Sequence, residues 1–207
     1  MGYTAIIDYG VGNLKSVSNA LAYLGVDSEI TGDPCRLELA DAIILPGVGA
    51  FPDAADKLRE SGLEQILLRQ AGNKPILGIC LGMQLLFQWG EEGRRCEGLG
   101  LISGGVRRIE TDLKLPHIGW NSLTFPRPSP LFRGLDEGCC VYFVHSFCGH
   151  TEDPDQEAAV TDYGGPVLAA VQDAARGVFG CQFHPEKKWR DRTCDLTKFC
   201  GAQPMST

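Results

Sequence analysis

The sequence predicts an α/β protein with a mostly parallel central sheet that is covered by helices on both faces. In roughly the first half of the chain, short apolar runs typical of buried strands alternate with segments whose apolar residues recur at helical spacing. After Gly90 short strands separated by Gly, Pro and Asp indicate an antiparallel extension. The length of 207 residues and the 43% hydrophobic composition suit one globular domain.

The first half contains four predicted strands, in "YTAIIDYG", "VDSEI", "AIILPG" and "PILGI". The apolar residues of "NLKSVSNALAYLG" have helical spacing, and its last glycine ends the helix. A second helical segment runs over residues 53–71 with a break near Gly62, and "MQLLFQW" predicts a helix after the fourth strand.

The second half contains six predicted strands, in "GLISGGVRRIE", "HIGWNSLTF", "CCVYFVHSF", "EAAVTDYGG", "VLAAVQD" and "GVFGCQFHPE". We expect them to pack on the same sheet. Since no repeat and no linker divides the sequence, we predict a single domain over residues 1–207.

Charge and cysteine content exclude several classes of protein. A formal net charge of −7 argues against a general binder of nucleic acid or anionic membranes, both of which need basic surface. No apolar run approaches the ~20 residues that span a bilayer, and the first residues lack the pattern of a secretory signal. Nine cysteines, an odd number without any CxxC pair, favour free thiols in a reducing cytoplasm over disulfides or a metal site.

The stretch "PILGICLGMQ" places Cys80 between Gly78 and Gly82 at a strand-to-helix junction. Such a turn lifts a nucleophile clear of the sheet and aims the next amide N–H, that of Leu81, at a reacting carbonyl oxygen. The N-terminus of the following helix would favour a thiolate. A small buried cysteine in a turn bounded by glycines explains these residues equally well.

A thiol nucleophile needs a base, and His184 is the strongest of the four histidine candidates. It follows the alternating strand "GVFGCQF", and Pro185 keeps its backbone extended. Because residues two apart on an extended chain share a side, Glu186 can orient the imidazole while the other ring nitrogen faces the thiol. An exposed histidine beside a solvated glutamate is the simpler alternative. Likewise, the turn at residues 47–49 offers a second oxyanion donor but also fits a plain connection.

Together and in this order, the motifs resemble those of the class I (triad) glutamine amidotransferase family, which has a flavodoxin-like fold. The resemblance runs from residue 3 to about residue 187 through "IIDYGVGNLKSV", "ILPGVGAF", "GICLGMQLL", "PHIGWN", "YFVHSF" and "CQFHPEK". The pattern is most similar to that of the glutaminase subunits of imidazole glycerol phosphate synthases. It implies hydrolysis of L-glutamine to glutamate and ammonia through a cysteine thioester, in histidine biosynthesis.

Carried over residue by residue, the resemblance implies a catalytic triad of Cys80, His184 and Glu186. It implies an oxyanion hole formed by backbone amides of Leu81, Val48 and Gly49. It assigns the polar ends of the glutamine substrate to Gly49, Gln84, His145, Ser146 and Phe147.

The resemblance also implies a partner, a (β/α)8 cyclase subunit that forms a heterodimer with this chain and receives its ammonia. It assigns Asn13, Trp120 and Lys187 to the face that meets the cyclase, whose nucleotide substrate is expected to stimulate the glutaminase. Without the resemblance, Trp120 is interpreted as a half-buried aromatic residue and Lys187 as a solvated charge. No cofactor, metal, nucleic acid or membrane is implied, and we expect a cytoplasmic location.

From about residue 188 the chain departs from the family's pattern. The family continues with a small turn and an amphipathic helix, whereas this chain has "KWRDRTCDLTKFCGAQPMST". Trp189 stands where the family favours a small residue, and Thr193 and Asp195 fall at positions expected to be apolar. A shifted reading frame near codon 188 is one hypothesis for this atypical tail.

Three alternative functions are weighed against this one. Another triad glutaminase, serving anthranilate, aminodeoxychorismate, pyridoxal phosphate or guanylate synthesis, is disfavoured by "DYGVGNLKSV" and "PHIGWN". A catalytically impaired binding subunit would explain the altered tail, but the intact Cys80, His184 and Glu186 argue against it. A cysteine hydrolase acting on other substrates is the weakest of the three.

Overall fold

The computed structural model describes residues 2–187. The elements of its first half are β1 (Thr4–Ile7), α1 (Leu14–Tyr23), β2 (Ser28–Thr31), α2 (Pro34–Leu39), β3 (Ala42–Gly47), α3 (Phe51–Glu60), α4 (Leu63–Gln70), β4 (Ile76–Cys80) and α5 (Leu81–Leu85). The second half supplies the strands β5 (Phe87–Gly90), β6 (Cys96–Glu97), β7 (Ile102–Arg108), β8 (His117–Ser122), β9 (Cys140–His145), β10 (Phe147–His150), β11 (Glu157–Asp162), β12 (Pro166–Asp173) and β13 (Val178–Cys181).

The central sheet of this described part has seven strands in the order β11-β12-β13-β4-β3-β1-β2. The five strands from β13 to β2 are parallel, and β12 and β11 continue the sheet in antiparallel fashion. A mostly parallel sheet with an antiparallel extension is therefore confirmed. The carboxyl ends of the parallel strands share one edge of the sheet, where ligand sites of such folds lie.

Apolar side chains on both faces of this sheet are buried, as expected for parallel strands covered by other elements. On one face, α2, α3, α4 and α5 pack against residues such as Ile7 and Leu45. On the other face, Leu21 of α1 packs with Ile6 and Ile44. The alternation of Ile6 and Ile7 between two cores is the period of a strand, and helices cover both faces as predicted.

The remaining strands form two smaller sheets. The first has the order β10-β7-β5-β6 and joins the core on the face of α3 and α5 through Phe87 and Ile102. The second is the antiparallel pair β8–β9, which joins the core on the α1 face through Val141 and Phe143. The prediction that all strands of the second half pack on the central sheet is therefore wrong for these two sheets.

Two further local predictions are corrected. The helix predicted in "MQLLFQW" ends at Leu85, because Phe87–Gly90 pairs with β6 and β7 instead. The ring of Phe87 is buried against Gly149, where a Cβ would lie 2.2 Å from that ring, so tertiary packing outweighs local helical spacing. The strand in "GVFGCQF" was grouped with the antiparallel strands, but β13 pairs parallel with β4.

The short helix α2 was not predicted, although its signals are present. Asp33 caps it by accepting a hydrogen bond from the Cys35 amide, and Pro34 occupies its first turn. The predictions for Trp189, Thr193 and Asp195 in the tail lie outside the described residues. None of the helices within residues 2–187 combines the length and the apolar character that spanning a membrane requires.

Candidate active site

Three neighbouring strands bring the predicted catalytic residues to one edge of the sheet. Gly47 at the end of β3 is the register partner of Cys80 at the end of β4. On the other side of β4, Cys181 of β13 pairs with Ile79, and His184 follows shortly after. Parallel pairing therefore places the glycine-rich turn, the thiol and the imidazole side by side.

Cys80 has a backbone conformation that side chains rarely adopt, with φ 55° and ψ −112°. It is the one residue other than glycine with a positive φ among those described, as expected of a nucleophile on a sharp strand-to-helix turn. A Cβ at Gly82 would lie 1.8 Å from the Leu45 carbonyl oxygen, and one at Gly78 would lie 2.5 Å from the Gly82 oxygen. Both glycines of "GICLG" are thus required by close packing.

The helix that follows, α5, has five residues. A helix this short has a small dipole, so its N-terminus contributes little to the predicted stabilisation of a thiolate. The stronger contributions come from hydrogen bonds to side chains.

His184 contacts both of its predicted partners. Its Nδ1 lies 2.8 Å from Oε1 of Glu186, and its imidazole lies beside Cys80 in the same cleft and interacts with the thiol. Because Nδ1 is engaged by the carboxylate, Nε2 is the nitrogen that faces the sulfur. The imidazole and the carboxylate are almost fully buried.

Burial of His184 acts to lower the pKa of its imidazole, but the hydrogen bonds to Cys80 and Glu186 outweigh it and raise that pKa to about 9. The imidazole is therefore a cation at neutral pH. An imidazolium in contact with a thiol favours the thiolate form of that thiol. The arrangement suits nucleophilic attack followed by proton donation to a leaving group.

Cys80 lines a cleft of about 380 Å³. The predicted residues that line it are Val48, Gly49, Cys80, Leu81, Gln84, His145, Ser146, Phe147 and His184. Every residue predicted for the oxyanion hole or for glutamine binding is therefore in one cleft, although their roles there stay predictions. Its volume suits a small amino acid rather than a polymer.

Buried amides connect this cleft to the nucleophile. Nε2 of Gln84 donates to the Phe147 carbonyl at 3.0 Å and to Oε1 of Gln182 at 2.9 Å. Nε2 of Gln182 in turn lies 3.7 Å from the Cys80 sulfur, within the range of a hydrogen bond to sulfur. Gln182 is completely buried.

Two neutral histidines continue the network on the other side of the Phe147 carbonyl. Nδ1 of His145 lies 2.8 Å from that oxygen, and Nε2 of His145 lies 3.2 Å from Nδ1 of His117. Burial lowers the pKa of His145 to about 4 and also lowers the pKa of His117. His117 is stacked between Phe143 and Tyr163, which fixes the plane of its ring.

Sequence reasoning missed four residues near the cleft, namely Glu92, Pro116, Val144 and Gln182. Oε2 of Glu92 accepts the Phe51 amide at the start of α3, which fixes the carboxylate at the rim. No motif signals Glu92, since two acidic residues after a strand usually indicate a turn. Gln182 lies in the quoted motif "CQFHPEK", but alternation does not signal its burial, because Phe183 on the other side of the chain is fully buried as well.

Trp120 and Lys187 lie near each other, with Tyr142 between them. The Lys187 ammonium lies 4.1 Å from the centroid of the Tyr142 ring, and the Trp120 and Tyr142 rings are 5.7 Å apart. The outer face of the β8–β9 pair also exposes Ile118 and Val144. Asn13 is an exposed residue that precedes α1.

Comparisons with known proteins agree with this geometry. A family model described as "Glutamine amidotransferase class-I" matches residues 5–200. The "Imidazole glycerol phosphate synthase subunit HisH" of Caldanaerobacter subterraneus subsp. tengcongensis is 49% identical over 183 residues, which is 88% of this chain and 89% of the relative. The protein of the same name from Geobacillus kaustophilus is 50% identical over 204 residues, which is 95% of each chain.

Among solved structures, PurLQS from Thermotoga maritima aligns with a TM-score of 0.72 over 89% of this chain and 88% of that chain. At 22% identity this likeness supports the fold alone. The chain therefore belongs to the class-I glutamine amidotransferase family and, within it, to the HisH subunits of imidazole glycerol phosphate synthase.

Proposed function

We propose that this chain hydrolyses L-glutamine to glutamate and ammonia with Cys80, His184 and Glu186 as its catalytic triad. The observation that carries this proposal is that Cys80 and His184 line one amino-acid-sized cleft, with Glu186 hydrogen-bonded to the imidazole at 2.8 Å. The family to which the chain belongs supports glutamine as the substrate.

In the first half of the reaction, the Cys80 thiolate attacks the side-chain amide carbon of glutamine and forms a C–S bond. The carbonyl π electrons move to oxygen, which becomes an oxyanion. His184 then transfers its proton to the amide nitrogen, and the C–N bond breaks to release ammonia and leave a thioester. Glu186 holds the imidazole in the tautomer and orientation for this transfer.

In the second half, neutral His184 removes a proton from water as the water oxygen attacks the thioester carbon. The C–S bond then breaks, glutamate leaves, and the thiolate–imidazolium pair is restored. Both halves pass through an oxyanion. We assign its stabilisation to the Leu81 amide and to an amide of Val48 or Gly49, which directly follow the register partners Cys80 and Gly47.

The polar ends of glutamine match groups at the cleft rim. Both hydrogens of Gln84 Nε2 are used inside the protein, so Gln84 presents only its Oε1 acceptor to a substrate. Oε1 of Gln84 and the carboxylate of Glu92 are suited to the α-ammonium group. For the α-carboxylate we assign the backbone amides of Gly49, Ser146 and Phe147, with His145 beside them at the cleft wall.

The outer face of the β8–β9 pair is the proposed contact for a (β/α)8 cyclase subunit, together with Asn13. Trp120, Tyr142 and Lys187 form an aromatic and cationic cluster of the kind enriched at interfaces. The His184 amide donates to the Tyr142 carbonyl at 3.1 Å, so a single hydrogen bond connects this surface to the backbone of the proposed catalytic base. Ammonia passed directly to the cyclase would avoid protonation in water. Such a complex would act in the cytoplasm.

The test is release of glutamate from glutamine by the full chain, alone and with the cyclase and its nucleotide substrate. We expect the complex to turn over glutamine, Cys80→Ala to abolish turnover, and a reactive glutamine analogue to label Cys80. Trp120→Ala should weaken co-purification with the cyclase while basal turnover persists. Absence of turnover in the complete complex, or full turnover by Cys80→Ala, would refute the proposal.

A further inference from the structure

Beyond the triad, we infer that Gln182 is a catalytic residue whose side-chain N–H group donates to the Cys80 sulfur and stabilises its thiolate. This inference rests on the proposed function, because it concerns the same nucleophile. Its basis is the 3.7 Å distance between Gln182 Nε2 and Cys80 Sγ, together with the hydrogen bonds that orient the Gln182 amide.

The orientation of that amide is set by a backbone carbonyl. A carbonyl oxygen only accepts, so the group of Gln84 that meets the Phe147 oxygen must be its NH2. The second hydrogen of the same NH2 points to Gln182, which must therefore present its oxygen to Gln84. The NH2 group of Gln182 therefore faces the Cys80 sulfur. If the Gln182 amide were flipped, its carbonyl oxygen would lie against the thiolate instead.

Burial makes this donor effective. Gln182 is completely buried and Gln84 is 4% exposed, so water does not compete for their amide hydrogens. The Gln182 backbone amide donates to the Ala169 carbonyl of β12 at 2.8 Å, which anchors the residue to the sheet. A fixed, dry N–H group aimed at an anion needs no reorganisation when the charge forms.

These contacts indicate different roles for the two residues beside Cys80. His184 supplies the proton and the positive charge, whereas Gln182 has no charge and keeps its donor through the whole cycle. The other titratable groups near the sulfur are Tyr9, whose pKa burial raises, and the neutral His145 and the carboxylate Glu92 across the cleft. Within residues 2–187 none of these three donates to the sulfur: the Tyr9 hydroxyl donates to the Pro46 carbonyl, Nδ1 of His145 faces the Phe147 carbonyl, and a carboxylate has no donor.

The experiment measures the rate at which iodoacetamide alkylates Cys80 as a function of pH, followed by mass spectrometry of the peptide that carries it. In Gln182→Met the side chain keeps its length but loses the donor. We expect the midpoint of the alkylation profile to rise by about one pH unit, the effect of removing one hydrogen bond to a charged group. Gln182→Glu keeps the acceptor for Gln84 and adds a negative charge, so its midpoint should rise further.

Gln172→Met is the matched control, because Gln172 is a buried glutamine that donates to the Pro128 carbonyl rather than to the sulfur. Its profile should equal that of the wild type. Folded Gln182→Met or Gln182→Glu protein with an unshifted midpoint would overturn the inference, even if its melting temperature changes. Since alkylation requires no glutamine, this outcome is independent of whether the chain is a glutaminase.

Discussion

The side chains of His184 and Glu186 are joined by a hydrogen bond of 2.8 Å across a single intervening proline. The sequence predicted an extended backbone here, but the chain turns at Pro185 and Glu186, and the Lys187 amide donates to the His184 carbonyl at 3.1 Å. This turn brings the carboxylate to the imidazole, which is therefore oriented by a near neighbour rather than by a distant element. Only the contact with Cys80 depends on the sheet. The base and its orienting group are therefore assembled locally, and the thiol is brought to them by the pairing of β13 with β4.

Glu186→Gln should shift the alkaline limb of glutaminase activity to lower pH. With the pKa of His184 at about 9, the imidazolium that protonates the leaving amide nitrogen is present below that pH and is lost above it. Removing the carboxylate charge lowers this pKa, so kcat should begin to fall closer to neutrality. Glu60→Gln, at an exposed position, is the control for the pH profile of kcat. Superimposable profiles for Glu186→Gln and wild type would contradict the assignment.

His145→Gln should make the protein less sensitive to acid. The pKa of His145 is about 4 in the folded chain and about 6.5 when unfolded. The unfolded chain therefore binds the proton first, and stability is lost as pH falls from about 6.5 towards 4, by up to about 1.4 kcal/mol per pH unit. Urea unfolding of both proteins across this range measures the slope, and the same slope in both would show that His145 is not responsible.

Gly82→Ala should abolish activity and lower the melting temperature sharply. The added methyl group would lie 1.8 Å from the Leu45 carbonyl oxygen, so α5 must move away from β3 and carry the Leu81 amide with it. Gly25→Ala is the comparison, because space is open there and its positive φ costs only about 1 kcal/mol. Thermal melts and glutamate release test both variants; a Gly82→Ala enzyme with wild-type activity would mean that the turn tolerates the shift.

Lys74→Met should destabilise the chain by about 1–2 kcal/mol. The Lys74 ammonium donates to the carbonyls of Leu37, Glu38 and Ala40 and thereby closes the C-terminal end of α2. Lys57→Met, on the exposed face of α3, should leave the free energy of unfolding nearly unchanged. Chemical denaturation distinguishes the two, and equal stabilities would show that water replaces the lost donor.

The parallel half of the fold was accessible from the sequence because buried strands and amphipathic helices have different periods. The interpretation failed at Phe87, where helical spacing continues but the chain turns into a strand that fills a site beside Gly149. It also failed for the direction of β13. Nothing in "GVFG" distinguishes a parallel from an antiparallel strand, because partner choice depends on residues far away in the chain.

The sharp turn at Cys80 and the proximity of His184 to Glu186 could be predicted from local rules, since a glycine-bounded turn and a His-Pro-Glu segment each limit the conformations available. Glu92 could not, because its place at the rim depends on the Phe51 amide of α3. Gln182 could not be predicted either, because the residues on both sides of the chain are buried there. The direction of its amide is set by the Phe147 carbonyl through Gln84, a series of contacts that no local pattern encodes.

The interior position of β13 has a consequence for how the enzyme is made. Although it is the last described strand, it lies between β12 and β4 rather than at an edge. On a ribosome the N-terminal part of the chain emerges first. Until β13 has been synthesised, β12 and β4 therefore each have one unpaired strand edge. His184 emerges together with the strand that closes this gap. A nascent chain therefore carries Cys80 without its proposed base until His184 has also emerged and β13 has taken its place in the sheet.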